Sequence, residues 1–268
     1  MLRDMMTQFA GYGTWPCDEI NLIWRHGNKA YPSDELTAKH ATPNVSRYVR
    51  GAFDNLAKQG SLTHVVEKTC ANSLRVSFVD AIFPDAKYVF LVRDGRDAAA
   101  SAMKRWVKPN SIGYTLAKLK FAPPVDIPYY ALGFVRNQIF RLRSTEKRLG
   151  TWGPIFEGLR EYADSHTLAE VCAMQWVKSV ELADRDFASI APDRVHRMRY
   201  EDIAFDPVKS MTDLTAFLGV EMDMDQAQTL TKGVSAKSVG AWKRDLSEED
   251  AAKIQPILAE MLAKFDYS

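Results

Sequence analysis

The sequence predicts an α/β protein with a central parallel sheet flanked by helices. Three observations predict it. Apolar, β-branched runs of strand length alternate with longer stretches of helical periodicity between residues 64 and 218. Successive strands are separated by helix-length connections, which fits parallel βαβ units and is too long for hairpins. The 268 residues, 46% hydrophobic and 26% charged, supply the core of one ordinary globular unit, so residues 1–268 read as a single domain.

Each element follows from local pattern. Leu2, Met5, Met6 and Phe9 stand at helical spacing with no N-cap ahead of them, and Gly11, Gly13 and Pro16 close that helix in a loop. Residues 33–59 read as a helix with Ser33 as its N-cap and Glu35 just inside. Residues 64–68 form a short buried strand, and residues 72–83 a helix closed by Pro84. The run Lys-Tyr-Val-Phe-Leu-Val at 87–92 is the clearest strand, followed by a helix over 94–106. Residues 107–166, interrupted by Pro123, Pro124, Pro128 and Pro154, read as an irregular, partly helical excursion on the substrate side. Beyond it come a long helix at 167–188, a strand at 195–200, a helix at 207–218 ended by Gly219, and a last helix at 246–264. Ser247 is the N-cap of that last helix, and Asp250 occupies its third helical position.

Composition excludes several classes. A net charge of +1 gives no global field for nucleic acid or an anionic membrane, so an anionic ligand must be caught by local charge. No apolar run approaches the roughly 18 residues of a membrane span, and residues 1–6 lack the apolar region of a secretion signal. Cys17, Cys70 and Cys172 are sparse, odd in number and without metal-ligand spacing, which fits reduced thiols in a cytoplasmic protein. The five histidines form no ligand pattern, and no metal is expected. A homo-oligomer is compatible with all of this.

The chemistry concentrates at residues 89–101, Val-Phe-Leu-Val-Arg-Asp-Gly-Arg-Asp-Ala-Ala-Ala-Ser. Arg93 follows the strand at its carboxyl end, where open parallel sheets bind ligands. A helix begins within the next few residues and turns its free N–H groups toward the same crevice, with Ser101 in its second turn. A guanidinium, a hydroxyl and a helix N-terminus converge on a spot suited to a phosphate. The plainer alternative is that Arg93 pairs with Asp97 or Glu201 and Ser101 is a surface residue.

With Arg93, Asp97 and Ser101 in the order R-x-x-x-D-x-x-x-S, the chain resembles the sulfotransferase superfamily that uses 3′-phosphoadenosine 5′-phosphosulfate (PAPS). The resemblance includes Glu67-Lys68-Thr69, Arg199-Tyr200-Glu201-Asp202, Phe217-Leu218-Gly219 and the G-x-W segment Gly240-Ala241-Trp242, covering most of residues 60–250. It implies a three-layer fold like that of P-loop nucleotide-binding proteins and transfer of a sulfuryl group from PAPS to a hydroxyl or amine. The acceptor would be a small molecule or glycan. Arg93 and Ser101 would bind the 3′-phosphate and Tyr200 would face the adenine. Lys237 and Lys243 would add charge where other members carry an R-K-G triplet, here Ser235-Ala236-Lys237. Lys68 would stabilise the transferring group. Cys70 stands where many members place a histidine base; other members use a glutamate in the loop after the first helix, and the resemblance to these implies Glu19 as the general base. Tyr200 also fits a core strand aromatic, and Glu19 a solvated loop acid.

The resemblance also implies a Gly- and Ser/Thr-rich loop that wraps the 5′-phosphosulfate. No such stretch occurs in this sequence, and the helix at residues 2–9 resembles the one that normally follows it. The expectation is a chain truncated at its N-terminus. The alternative to an enzyme is a non-catalytic homologue that binds adenosine 3′,5′-bisphosphate or a partner protein. A kinase with the G-x-x-x-x-G-K-[ST] loop is excluded, because that motif is absent. The acceptor pocket falls to the 107–166 excursion, whose Tyr114, Phe121, Tyr129, Tyr130, Phe134 and Trp152 admit sugars, lipids or phenols equally.

Overall fold

The computed structural model describes residues 1–107, 118, 120–121, 123–143 and 149–267; Tyr114 and part of the 107–166 excursion lie outside them. Four strands are present among these residues. β1 (Tyr12–Gly13) pairs in parallel with β2 (His64–Val65), and β3 (Tyr88–Val92) pairs in parallel with β4 (Val195–Arg199). The β3–β4 register runs from Tyr88 opposite Val195 to Val92 opposite Arg199.

The expected central sheet is therefore found as two separate two-stranded sheets. The strand predicted at 64–68 pairs for only two residues because the chain beyond it turns to side-chain partners. The Val66 amide still reaches the Gly13 carbonyl at 2.8 Å, but Thr69 then donates to Glu67 and accepts from the Ile20 amide. Side-chain bonds of this kind compete directly with a backbone ladder.

Helices make up most of the rest. α1 (Leu2–Met6), α2 (Asn21–Trp24) and α3 (Pro43–Gly60) precede β2, and α4 (Val76–Ile82) precedes β3. α5 (Gly95–Val107) follows β3, and α6 (Ile127–Arg143) and α7 (Leu159–Ser165) lie in the excursion. α8 (Leu168–Phe187) leads to β4, after which come α9 (Tyr200–Phe205), α10 (Pro207–Leu218), α11 (Met224–Thr231), α12 (Trp242–Asp245) and α13 (Glu248–Lys264).

Two predicted helices start later than expected. The one expected at residue 33 begins at Pro43, whose fixed φ suits the first helical position, with Thr42 capping Val45 N. Ser33 and Asp34 are instead buried in the loop before it. The one expected at residue 72 begins at Val76, because Arg75 adopts φ −147° to send its side chain into the interior. Where caps are strong the boundaries match. Thr167 and Glu170 form a reciprocal capping box on α8, and Ser247 caps Asp250 N on α13 at 3.0 Å.

α8 is the axis of the largest apolar cluster, packing against both α5 and α13 through Val171, Cys172, Ala173 and Val180. Trp15, Trp24, Val49 and Phe78 centre a second cluster around α2–α4. Met5 and Met6 of α1 join Met198, Ile203 and Met211 in a third. The packing of α5 on α8 fixes the start of α5. A Cβ on Gly95 would stand 2.7 Å from the Trp176 ring, so glycine here lets that ring pack against the start of α5. No helix among the described residues is long and apolar enough to cross a membrane.

Candidate functional site

Two clusters of polar side chains lie beyond the carboxyl ends of the parallel strands. The first begins where β3 ends. The Asp94 amide donates to Glu201 of α9 at 3.1 Å, and the Trp176 indole donates to the Arg93 carbonyl at 3.0 Å, so the strand exit is pinned from two helices. Arg93 lies over the Tyr200 ring at 4.7 Å. Its Nη2 donates to the Ser238 carbonyl at 2.5 Å and stands 3.6 Å from Asp97. Its Nε is buried with no protein partner. Held on three sides, the guanidinium keeps one side open, its side chain 24% exposed, which fits an arriving anion.

That side is a cleft of about 270 Å³ lined by Arg93, Ser101, Lys104, Lys237, Ser238 and Arg244, among others. Four basic residues and two carboxylates, Asp97 and Asp245, line it, leaving an excess of positive charge. Asp245 is already engaged by Lys104 at 2.7 Å. Ser101 is exposed on α5 and shares this cleft with Arg93, and Lys237 reaches it from the segment before α12. Lys243 is not among the residues that line the cleft; its ammonium sits 5.8 Å from the ring of Trp242, which is. The turn of α12 presents the next residue, Arg244, in its place. Sequence reasoning missed Arg244 and Lys104. The latter was discernible as the residue one helical turn beyond Ser101. Tyr200 carries Arg93 on its ring and shares a 2.7 Å hydrogen bond with Ser238.

Asp97 is the hub of this cluster. It is 2% exposed, and its two oxygens accept from Gly240 N and Trp242 N, each at 2.8 Å. Gly240 has φ +68°, a left-handed conformation that folds the chain so both amides point at one carboxylate. Of the two partners the plainer alternative offers Arg93, Asp97 stands within 3.6 Å, while Glu201 bonds the Asp94 amide instead.

The second cluster joins the loop after β1 to the segment after β2. Glu19 Oε1 accepts from the Cys70 amide at 3.3 Å and lies 3.5 Å from Lys68 Nζ. Arg3 donates to the carbonyls of Cys17 and Asp18 at 3.0 and 3.2 Å, tying α1 to the same loop. The protein crowded around the Cys70 sulfur and the nearby Glu19 carboxylate push that thiol up to about 12, against the pull of Lys68, although the residue is reached by solvent. A thiol raised this far stays protonated at neutral pH and is no base. Its alkylation by iodoacetamide should be slow at pH 8 and rise about tenfold per pH unit through pH 10. A rate that levels off by pH 9, with mass spectrometry placing the label on Cys70, would contradict this environment.

Behind the second cluster a buried polar network fixes its geometry. Asp34, fully buried, accepts from Arg25 Nη1 at 2.9 Å, Arg75 Nη1 at 3.4 Å and Ile155 N at 2.9 Å. Arg75, also fully buried, donates to Asn21 at 2.6 Å and Asn72 at 2.8 Å. Asn72 donates to Glu67, Glu67 accepts from Thr69, and Thr69 accepts from the Ile20 amide beside Glu19. Desolvation pulls Arg75 down to about 10, so it remains cationic at neutral pH. Among the described residues no group of three His, Cys, Asp or Glu side chains could hold a metal ion.

A strand exit, a helix start and a basic turn thus close on one arginine in a mixed α/β, mostly helical protein. The sulfotransferase domain family matches residues 20–266, nearly the whole chain, and the chain belongs to that family. Among solved structures it is similar to sulfotransferase STF9 from Mycobacterium avium, with 14% identity and a TM-score of 0.42. That match covers 84% of this chain and 47% of the other, so the chain spans about half the length of that protein. A comparison with curated proteins found no significant match.

Proposed function

We propose that the chain transfers a sulfuryl group from PAPS to a hydroxyl or amine of a small-molecule or glycan acceptor. The observation that carries this reading is the Arg93–Ser101 cleft, in which the Arg93 guanidinium, a helix hydroxyl and surplus positive charge line one opening. Arg93 and Ser101 hold the donor's 3′-phosphate, with Lys104, Lys237 and Arg244 supplying further charge. Tyr200, whose hydroxyl is tied to Ser238, carries the Arg93 guanidinium on its ring on the nucleoside side. Glu19 takes the proton of the acceptor as its oxygen attacks sulfur, and the bond from sulfur to the 5′-phosphate oxygen breaks. Lys68, already within reach of Glu19, balances charge on the transferring group. The leaving group is adenosine 3′,5′-bisphosphate. Three free cysteines, two of them buried, support a reducing compartment such as the cytoplasm.

The test is transfer from ³⁵S-labelled PAPS to a panel of phenolic, sugar and lipid hydroxyls. Label should move to at least one acceptor class, and Arg93→Ala should raise the KM for PAPS by about 30-fold, the loss of one charge-assisted contact. A KM unchanged in Arg93→Ala would place the donor elsewhere.

A further inference from the structure

We infer that Asp97 is a positioning residue that locks the 238–242 turn onto α5 and thereby fixes the direction in which Arg93 presents its guanidinium. The inference rests on the proposal that this cleft binds the 3′-phosphate, and it adds a role for a carboxylate in the wall of that cleft.

Both Asp97 oxygens are used by backbone amides of one turn, Gly240 N and Trp242 N, at 2.8 Å each. The same turn supplies the Ser238 carbonyl that takes Arg93 Nη2, and the Ser238 hydroxyl that bonds Tyr200, the ring beneath Arg93. Among the described residues, the contacts that orient the guanidinium are therefore either Asp97 itself or groups tied to the turn Asp97 holds. Trp242 extends the lock, because Arg96, four residues from Ala100 on α5, lies over its ring at 4.8 Å and is in turn fixed to Asp94 at 2.7 Å.

Distance separates this role from simple charge pairing. Asp97 stands 3.6 Å from Arg93 Nη2, longer than its bonds to the two amides, so its first duty is to the turn. It is 2% exposed, and each of its oxygens already accepts from one of those amides while it stands beside the arginine. Only a carboxylate does this. Asparagine offers one acceptor oxygen, and its amide nitrogen would face a backbone N–H.

The test uses the full chain and adenosine 3′,5′-bisphosphate, titrated calorimetrically into the parent, Asp97→Asn, Arg93→Ala and the double variant. Asp97→Asn should weaken binding about tenfold in the parent and less than twofold in the Arg93→Ala background, because its effect passes through Arg93. Equal losses in both backgrounds, or no loss in the parent, would overturn the inference while leaving the site intact. No binding by the parent at all would instead sink the underlying reading of the cleft. Should Asp97→Asn prove insoluble, amide exchange in the parent decides. Gly240 and Trp242 should exchange far more slowly than Ala241, and free exchange at both would refute the lock.

Discussion

Asp34→Ala should destabilise the fold by about 3–5 kcal/mol, the largest single-residue effect expected in this chain. Asp34 is the counter-charge for Arg25 and Arg75, and both arginines are buried. Its loss leaves two guanidinium groups facing each other in the interior, and frees the Ile155 amide as well. Asp34→Asn keeps much of the shape but not the charge, and should fall between the two. Urea denaturation of the three proteins checks the order. A midpoint shift worth less than about 1 kcal/mol for Asp34→Ala would mean the network is solvated and carries no weight in the fold.

Glu19→Gln should lower turnover by about 10²-fold while leaving the affinity for adenosine 3′,5′-bisphosphate unchanged. The amide retains an acceptor oxygen for the Cys70 N–H, so the loop keeps its place while its basicity is removed. Cys70→Ala should be nearly silent in the same assay, because its thiol holds its proton. Steady-state kinetics beside calorimetry separates the two quantities. Turnover within a few-fold of the parent would reduce Glu19 to a partner of Lys68.

The sequence carried some of this and concealed the rest for physical reasons. β3 and the helix after it were plain because an uninterrupted apolar run ends at an arginine and a helix start, a pattern with few alternatives. α8 and α13 were equally plain, since their caps are local bonds between residues three apart. The late starts of α3 and α4 were hidden because long-range partners decide them. Ser33 and Asp34 leave the helix to meet Arg25, Arg75 and Ile155, and Arg75 breaks the next one to reach Asp34. Likewise the strand at 64–68 loses its last residues as Glu67 turns to Thr69 and Asn72, and Thr69 to the Ile20 amide far back along the chain.

The candidate site divides in the same way. Arg93 and Ser101 share one helix start, so their common cleft follows from spacing alone. Lys237 and Lys243 are six residues apart on a segment whose path is set by long-range bonds to Asp97, and only coordinates show that Lys237 and Arg244 line the cleft while Lys243 sits over the Trp242 ring. The contact of Glu19 with Lys68 joins segments 49 residues apart, which no local pattern encodes.

The most direct test of the central claim, that Arg93 and Ser101 receive the 3′-phosphate, is a pair of calorimetric titrations on the parent and Arg93→Ala. One uses adenosine 3′,5′-bisphosphate and the other adenosine 5′-phosphosulfate, which lacks the 3′-phosphate. The account predicts a loss of about 30-fold or more for the first ligand in Arg93→Ala, roughly 2 kcal/mol, and no change for the second. Equal affinity of both proteins for the bisphosphate, or an equal loss for both ligands, would contradict it.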